Sequence, residues 1–545
     1  MFPELYTDGY KTGHRRQYPD FTTLVFDNAT PRSSRRGEEV PKEIVYVGGQ
    51  FWAIKYLINE WNEKFFNASR EKVLKRFARY MKSYLGPNNT VGIEHIEALY
   101  DLGYLPIKVM SLPEGAVVPL KVPPLVLWNT LPEFFWLPNY LETIMSTSIW
   151  GPCTSATTAR LYRNLLEGYA METVGNTDFV PFQGHDFSFR GMFGLEAACM
   201  SGFGHLTSFV GTDTIPALMF AEEYYHANID DELVGCSVNA TEHAVMCAGK
   251  KESEYDTFLR LIEEVYPEDI LAIVSDTWDF WSVLNPAGGI LTQLREKILK
   301  RKGKIVIRPD SGDPVKIVLG EAHPVRNLDA KDLQRLIALN AKGVTTIRHD
   351  NKYYSIELGG VMGIGLKEIP LSEVTPVMKG AIQCLFEIFG GRMNSKGYKE
   401  LDEHIGLIYG DSITIQRAKD ICEGLKIMGF ASTNIVFGIG SYTYAYVTRD
   451  TDGWAVKATF CVVDGEEREI FKDPATGDGS KKSATGLTAV FKNDKGAYYL
   501  KDKATWDEVL NCEFKPLFEN GVLKSAYTLE EIRARIKSHD QSTTI

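Results

Sequence analysis

The chain has 545 residues, 71 Asp plus Glu against 60 Lys plus Arg for a net charge of -11, and 44% hydrophobic residues. That length exceeds one simple core and predicts about two or three domains with enough burial to fold without staples. The acidic balance argues against nucleic acid as a partner, though local basic sites stay open. The eight cysteines form no Cys-x-x-Cys pair, which predicts a reducing, cytoplasmic setting instead of a disulfide framework or structural zinc.

The first eleven residues lack the apolar run of a signal peptide. Residues 1–40 read as an exposed arm, with Arg32, Arg35 and Arg36 in a serine-rich turn whose composition suits an anion. Residues 51–85 carry Ile54, Leu57, Ile58 and Trp61 at helical spacing, and residues 107–127 alternate as strands of a small α+β unit. The most apolar tract, residues 131–150, is interrupted by Glu133, Pro138 and Glu142, which predicts a buried aromatic-rich helix and no membrane span.

From about residue 180 a device repeats: a short apolar run, then small or acidic residues, then a helical segment. Residues 206–210 lead to Gly211-Thr212-Asp213, 271–274 to Ser275-Asp276, and 305–307 to Arg308-Pro309-Asp310. Residues 407–408 lead to Gly410-Asp411-Ser412, and 435–437 to Gly438-Ile439-Gly440-Ser441. Between the last two, Ile415, Ala418, Cys422, Leu425 and Met428 mark one face of an amphipathic helix. Repeated junctions of this kind predict a parallel β/α barrel whose site gathers residues at the C-terminal strand ends. Ile305, Val306 and Ile307, a continuous apolar run, suit a strand covered on both faces. Asp213, Asp276, Asp310 and Asp411 would then crowd one mouth, which is costly unless a cation or hydrogen-bond donors bind them. A magnesium-phosphate ligand, held by Arg308 and the amides of Gly410, Gly438 and Gly440, balances that charge.

Residues 313–375 break the rhythm as an insertion with no defensible chemistry. After Arg449 the chain alternates as strands, then reaches Phe471-Lys472-Asp473-Pro474 and a glycine-rich segment with Lys481 and Lys482, either solvated or a phosphate clamp. The expected architecture is therefore α/β: a parallel β/α barrel-like domain packed with an α+β domain built from the N- and C-terminal parts. Residues 1–180 and 445–545 form the α+β domain, and residues 181–444 the catalytic barrel with its insertion at about 315–375.

The order of motifs resembles the nicotinamide phosphoribosyltransferase family of type II phosphoribosyltransferases. The matching residues are Asp8-Gly9-Tyr10-Lys11 with His14 and Gln17-Tyr18-Pro19, then His185-Asp186-Phe187 with Arg190-Gly191. Gly211-Thr212-Asp213-Thr214, Ser237-Val238 with Glu242-His243, and Val274-Ser275-Asp276 follow. Residues 307–312, Gly410-Asp411, Thr448-Arg449-Asp450 and Phe471-Lys472-Asp473-Pro474 complete the set. The chain departs from the family at Gly438-Ile439-Gly440-Ser441-Tyr442, where the family has Gly-Ser-Gly-Gly-Gly, and at Asn239 and Thr241, where it has proline and alanine.

The resemblance implies transfer of phosphoribose from phosphoribosyl pyrophosphate to nicotinamide, giving nicotinamide mononucleotide and pyrophosphate, by a homodimer with active sites at the subunit interface. It implies that Phe187 and Tyr10 of the partner subunit sandwich the pyridine ring, with Asp8, Arg190 and Ser237 also at the substrate. It further implies that Asp213 accepts from the carboxamide and repels nicotinate, so that it sets base preference. Arg308, Ser311, Gly410, Asp411, Gly440 and Ser441 would hold the ribose phosphate, and Asp310 the ribose hydroxyls. Arg449, Lys457, Lys472, an arginine of the 32–36 loop such as Arg32, and Lys481 would bind pyrophosphate or ATP. Mg2+ would be held by Asp276 and Asp310 through water. His243, oriented by Asp276, would be phosphorylated by ATP as co-substrate, and the hydrolysis would be coupled to product formation. Rival readings are a nicotinate phosphoribosyltransferase, a barrel hydrolase using two of the carboxylates, and a non-catalytic binding protein on this scaffold.

Overall fold

Ile305 and Ile307 are fully buried, each contributing about 1.5–3 kcal/mol of apolar burial, whereas Val306 and Arg308 on the alternate face are only partly covered. That alternation belongs to a strand backed by helices on one side and open to a hollow on the other, which corrects the expectation of cover on both faces. The computed structural model describes residues 1–37, 40–328, 330–341, 343–359, 363–410, 412–471 and 484–543.

Seven parallel strands form the sheet: β1 (Gly184–Phe187), β2 (Gly211–Thr212), β3 (Asn239–Ala240), β4 (Leu271–Val274), β5 (Ile305–Arg308), β6 (Ile405–Tyr409) and β7 (Ile435–Gly440). Their spatial order is β2, β1, β7, β6, β5, β4, β3, with Ile305 opposite Leu271 on one side and Ile405 on the other. One segment serves both edges: Cys236 bridges Gly211 beside β2, and Asn239 and Ala240 pair with Leu271 and Ala272 of β4. The sheet therefore curls into a barrel-like half-cylinder, as the strand-to-loop rhythm predicts, and the helix Ile415–Ile427 buries Ala418, Cys422 and Leu425 of its apolar stripe while Ile415 stays exposed.

Besides the cover of β5, the expected exposed arm changes, since Thr22–Pro31 within it is a largely buried strand, and three further readings change. Residues 206–210 are not a strand: Leu206 ends the helix Leu195–Leu206, and pairing begins at Gly211. A short apolar run does not distinguish a buried helix end from a strand. The imidazole of His205 pins that helix end, with Nε2 2.9 Å from the Gly211 carbonyl and Nδ1 2.7 Å from the Tyr444 hydroxyl. Second, β1 and β3 carry no apolar run and escape the pattern altogether. Third, residues 51–85 are two helical pieces, because the run from Gly49 ends at Phe66 and a new helix, Arg70–Leu85, follows.

A second, antiparallel sheet interleaves the two ends of the chain. Its order is Glu466–Glu469, Trp454–Val463, Thr22–Pro31, Leu125–Asn129, Ile107–Ser111, Lys515–Glu519, Val522–Leu523. Phe26, Trp128 and Phe460 pack in its core, while Ile307, Leu407 and Phe437 belong to a separate core around the barrel. The 37-residue helix Leu137–Thr173 belongs to both, through Tyr140 and Cys153 in the first and Ala159 and Tyr162 in the second. Among the described residues no helix is long and apolar enough to cross a membrane.

The insertion is a four-stranded sheet of His323–Pro324, Thr346–His349, Lys352–Gly359 and Gly363–Ile369, with small apolar clusters of its own around Tyr353 and Ile347. The helix before it, Pro314–Leu319, packs instead against Ile415–Ile427.

Candidate active site

The C-terminal ends of the parallel strands carry the predicted site residues to one mouth. Asp213 follows β2, and its backbone N–H donates to the Asp186 carbonyl at 3.0 Å. Its Oδ1 accepts from His185 Nε2 at 2.9 Å and from Ser237 Oγ at 2.7 Å. Partial burial alone would raise the carboxyl pKa, but the His185 and Ser237 hydrogen bonds and the positive charge of Arg308 outweigh it and hold Asp213 below the ordinary value. The Phe187 ring lies 4.7 Å from the His185 ring. Gly438 makes room for it, since a Cβ there would sit 2.5 Å from the Phe187 ring.

Arg308 ends β5. One guanidinium nitrogen donates to the Thr241 carbonyl, and its buried Nε has no hydrogen-bond partner. Thr241 in turn accepts the Val274 N–H on its hydroxyl at 3.0 Å, so its side chain braces β4 while its backbone carbonyl braces the arginine.

Asp276 accepts on Oδ2 from the Asp310 N–H at 2.9 Å and from Ser311 Oγ at 2.6 Å, which fixes the turn after β5. Its Oδ1 is buried without a hydrogen-bond partner. His243 Nε2 lies 3.8 Å from both Asp276 Oδ1 and Asp310 Oδ2, while its Nδ1 lies 3.1 Å from Thr277 Oγ1. The hydrogen bond that orients the imidazole is thus Thr277's, and the two carboxylates flank it beyond hydrogen-bond reach. Tyr409 also supports the turn, donating to the Ser311 carbonyl at 2.8 Å.

Gly410 closes against this cluster: a Cβ there would stand 2.6 Å from Asp310 Oδ1. Gly440 borders open space at the start of the short helix Ser441–Tyr444. Gly191 packs on Ser441, a Cβ at Gly191 falling 2.1 Å from Ser441 Oγ, which brings the turn bearing Arg190 beside that loop. A cavity of about 780 Å³ opens at Phe187, Asp213 and Arg308 and continues inside the barrel past Val306 to Lys304, Asp402 and Glu403. It is roomy enough for a flat aromatic ring, and its wall carries both a carboxylate and a guanidinium.

Not every predicted residue lies at this mouth. Tyr10 is 65% exposed, and its ring packs on His14 in its own turn instead of on Phe187. Asp8 accepts from the Thr143 hydroxyl at 2.9 Å. Arg32, Arg449 and Lys457 collect on the antiparallel sheet and its flanking turn: Arg32 donates to the Gly453 carbonyl, Arg35 N–H to that of Thr451, and Lys457 lies opposite Asn28. Arg36 is committed elsewhere, in a bidentate pair with Asp452 at 2.9 Å. Asp411, Lys472 and Lys481 lie outside the described residues.

His185, Thr241, Thr277 and Tyr409 are the site-building residues that pattern reading missed as such. His185 stands within a family-like motif and Thr241 departs from one, but Thr277 and Tyr409 show no signal until the strands are assembled.

A hollow parallel barrel with an arginine, glycine-lined strand ends and clustered carboxylates at its mouth suits an enzyme that binds a sugar phosphate. Residues 182–509 match the nicotinate phosphoribosyltransferase (NAPRTase) family. The chain is 46% identical over 544 residues to a nicotinamide phosphoribosyltransferase of Acinetobacter baylyi, covering 98% of this chain and 97% of that protein. It is 31% identical over 511 residues to a nicotinamide phosphoribosyltransferase of Mycoplasma pneumoniae, covering 88% and 94%. In fold it is similar to the crystal structure of a nicotinate-nucleotide pyrophosphorylase from Pyrococcus furiosus, with a TM-score of 0.52, 13% identity, and 100% and 97% of the two chains covered. The chain belongs to the nicotinate phosphoribosyltransferase (NAPRTase) family.

Proposed function

We propose that this enzyme transfers phosphoribose from phosphoribosyl pyrophosphate to the ring nitrogen of nicotinamide, giving nicotinamide mononucleotide and pyrophosphate. The observation that carries the reading is Asp213: an ionised carboxylate in the pocket wall, with Oδ1 taken by two donors, favours a base that offers N–H and disfavours one that brings a second negative charge.

The pyridine nitrogen attacks the anomeric carbon as its bond to pyrophosphate breaks, and the electron pair leaves with the pyrophosphate. Phe187 holds the ring, and Arg308 with Gly410, Gly440 and Ser441 holds the 5-phosphate. Asp310 takes the ribose hydroxyls and faces the positive charge that develops on the ribose. Arg32, Arg449 and Lys457, gathered on the antiparallel sheet, suit the leaving pyrophosphate when supplied by the partner subunit of a homodimer, and Tyr10 of that subunit closes over the pyridine. The unpartnered Oδ1 of Asp276 and the neighbouring Asp310 carboxylate fit a hydrated Mg2+, which takes one or two carboxylates and completes its shell with water and phosphate. When bound, the ion neutralises pyrophosphate charge.

ATP is the co-substrate of a second step. His243 Nε2 attacks the γ-phosphorus, the bond to ADP breaks, and later hydrolysis of the phosphohistidine promotes product formation; Thr277 on Nδ1 leaves Nε2 as the nucleophile. Acid-labile phosphate is expected after incubation with ATP and absent in His243→Ala; its persistence in the variant would refute the assignment.

Product analysis with nicotinamide and nicotinate in competition, with phosphoribosyl pyrophosphate and Mg2+, with and without ATP, tests the whole reading. Nicotinamide mononucleotide is expected to dominate, and more so with ATP. Dominant nicotinate mononucleotide would replace it with the acid-specific activity, and no pyrophosphate release with either base would favour a hydrolase or binding protein.

A further inference from the structure

His185 does more at this site than fill space beside Phe187. The residue is 8% exposed, and its ring is wedged between the Phe187 ring and the backbone of β2, where Gly211 leaves no gap: a Cβ there would stand 2.8 Å from His185 Nδ1 and 2.9 Å from the Gly184 carbonyl. The strand register places His185 directly opposite Gly211 and Asp186 opposite Thr212, so the imidazole is aimed by the barrel itself. It points Nε2 at Asp213 Oδ1, 2.9 Å away. An ionised carboxylate accepts only, so Nε2 carries the proton in this contact. Ser237 Oγ donates to the same oxygen. With Oδ1 doubly occupied, Oδ2 is the Asp213 oxygen left to meet a substrate.

We infer that His185 is a positioning residue that sets base specificity: by donating to Asp213 Oδ1 it holds the carboxylate in one rotation, so that Oδ2 accepts from a carboxamide and opposes a carboxylate substrate. The inference rests on the nicotinamide reading above. Without His185 the carboxylate keeps only the Ser237 hydroxyl and gains freedom to rotate, which lowers the difference between amide and acid without removing any group that touches the ribose.

Steady-state kinetics of His185→Leu, His185→Gln and His185→Asn with each base, at saturating phosphoribosyl pyrophosphate and Mg2+, test this. In His185→Leu the KM for nicotinamide is expected to rise about tenfold while kcat stays within about threefold, and the nicotinamide-to-nicotinate ratio of kcat/KM to fall about tenfold, the effect of losing one charge-assisted hydrogen bond. Glutamine places an amide N–H near the position of Nε2 and should recover most of the ratio. Asparagine, one methylene shorter, should not. An unchanged ratio in folded His185→Leu would overturn the inference. Should that variant not fold, equal ratios in His185→Gln and His185→Asn would overturn it. A wild-type enzyme that prefers nicotinate would instead overturn the functional reading.

Discussion

At the scale of single residues, Asp213 and Gly410 make opposite demands on their surroundings. Asp213 needs a charge kept in place. Asp213→Ser should lower kcat/KM for nicotinamide by about 10–100-fold and admit nicotinate, because the hydroxyl neither repels the acid nor pairs as strongly with the amide; a variant with the wild-type base ratio would contradict this. Its depressed pKa also has a direction: the ionised form persists above the ordinary carboxylate value and is lost only as pH falls through the lower folded value, so Asp213 should impose no change on the nicotinamide KM between neutral pH and about pH 5. Gly410 needs an absence. The methyl of Gly410→Ala would meet the tip of the Asp310 side chain, which swings away at little cost. The midpoint of thermal unfolding should therefore move by less than about 2 °C, while kcat/KM drops by about tenfold or more from misplacement of the carboxylate. Equal activity of the two proteins would remove Asp310 from the catalytic cluster.

Among the elements, the C-terminal helix Leu529–Thr543 has a structural reach that its sequence hides. Arg533 donates to the carbonyls of Leu206, Leu233 and Val234 at 2.7, 3.0 and 2.7 Å, and lies 3.5 Å from that of Phe209. Burial lowers its pKa to about 10, and the charge of Glu232 offsets only part of that cost. The residues it binds immediately precede Gly211–Asp213 and Cys236–Ser237, so a residue near the C-terminus steadies both segments that build the base pocket. Arg533→Met keeps an apolar stem but leaves those carbonyls without their donor, and should cost about 2–3 kcal/mol in denaturant unfolding. A loss below about 0.5 kcal/mol would mean that water replaces the guanidinium.

The whole molecule divides its candidate site residues between two sheets. The barrel mouth holds Phe187, Asp213, His243 and Arg308, whereas Tyr10, Arg32, Arg449 and Lys457 sit on or beside the antiparallel sheet and its N-terminal turn. A dimer of the kind proposed, apposing the barrel of one subunit to the sheet of the other, would make one site from both. Mixing Tyr10→Ala subunits with Arg308→Ala subunits should then restore about a quarter of wild-type activity, since random exchange gives half heterodimers and each has one intact site. No recovery despite confirmed subunit exchange would place all site residues in one chain.

Local chemistry controls the part of this fold that can be read along the chain. Apolar runs at residues 271–274, 305–307, 407–408 and 435–437, each followed within three residues by glycine or aspartate, disclosed the barrel, and the breadth of the motifs disclosed the family. The rest depends on contacts between segments far apart in the chain. Gly184–Phe187 and Asn239–Ala240 become strands because neighbouring strands satisfy their backbone groups, not because their side chains prefer extended chain. The contacts that aim the functional groups, His185 to Asp213, Thr277 to His243, Thr241 to Arg308 and Tyr409 to the Ser311 carbonyl, join residues 28 to 98 positions apart. No periodicity encodes such pairs: they exist only once a curled sheet brings the strand ends together.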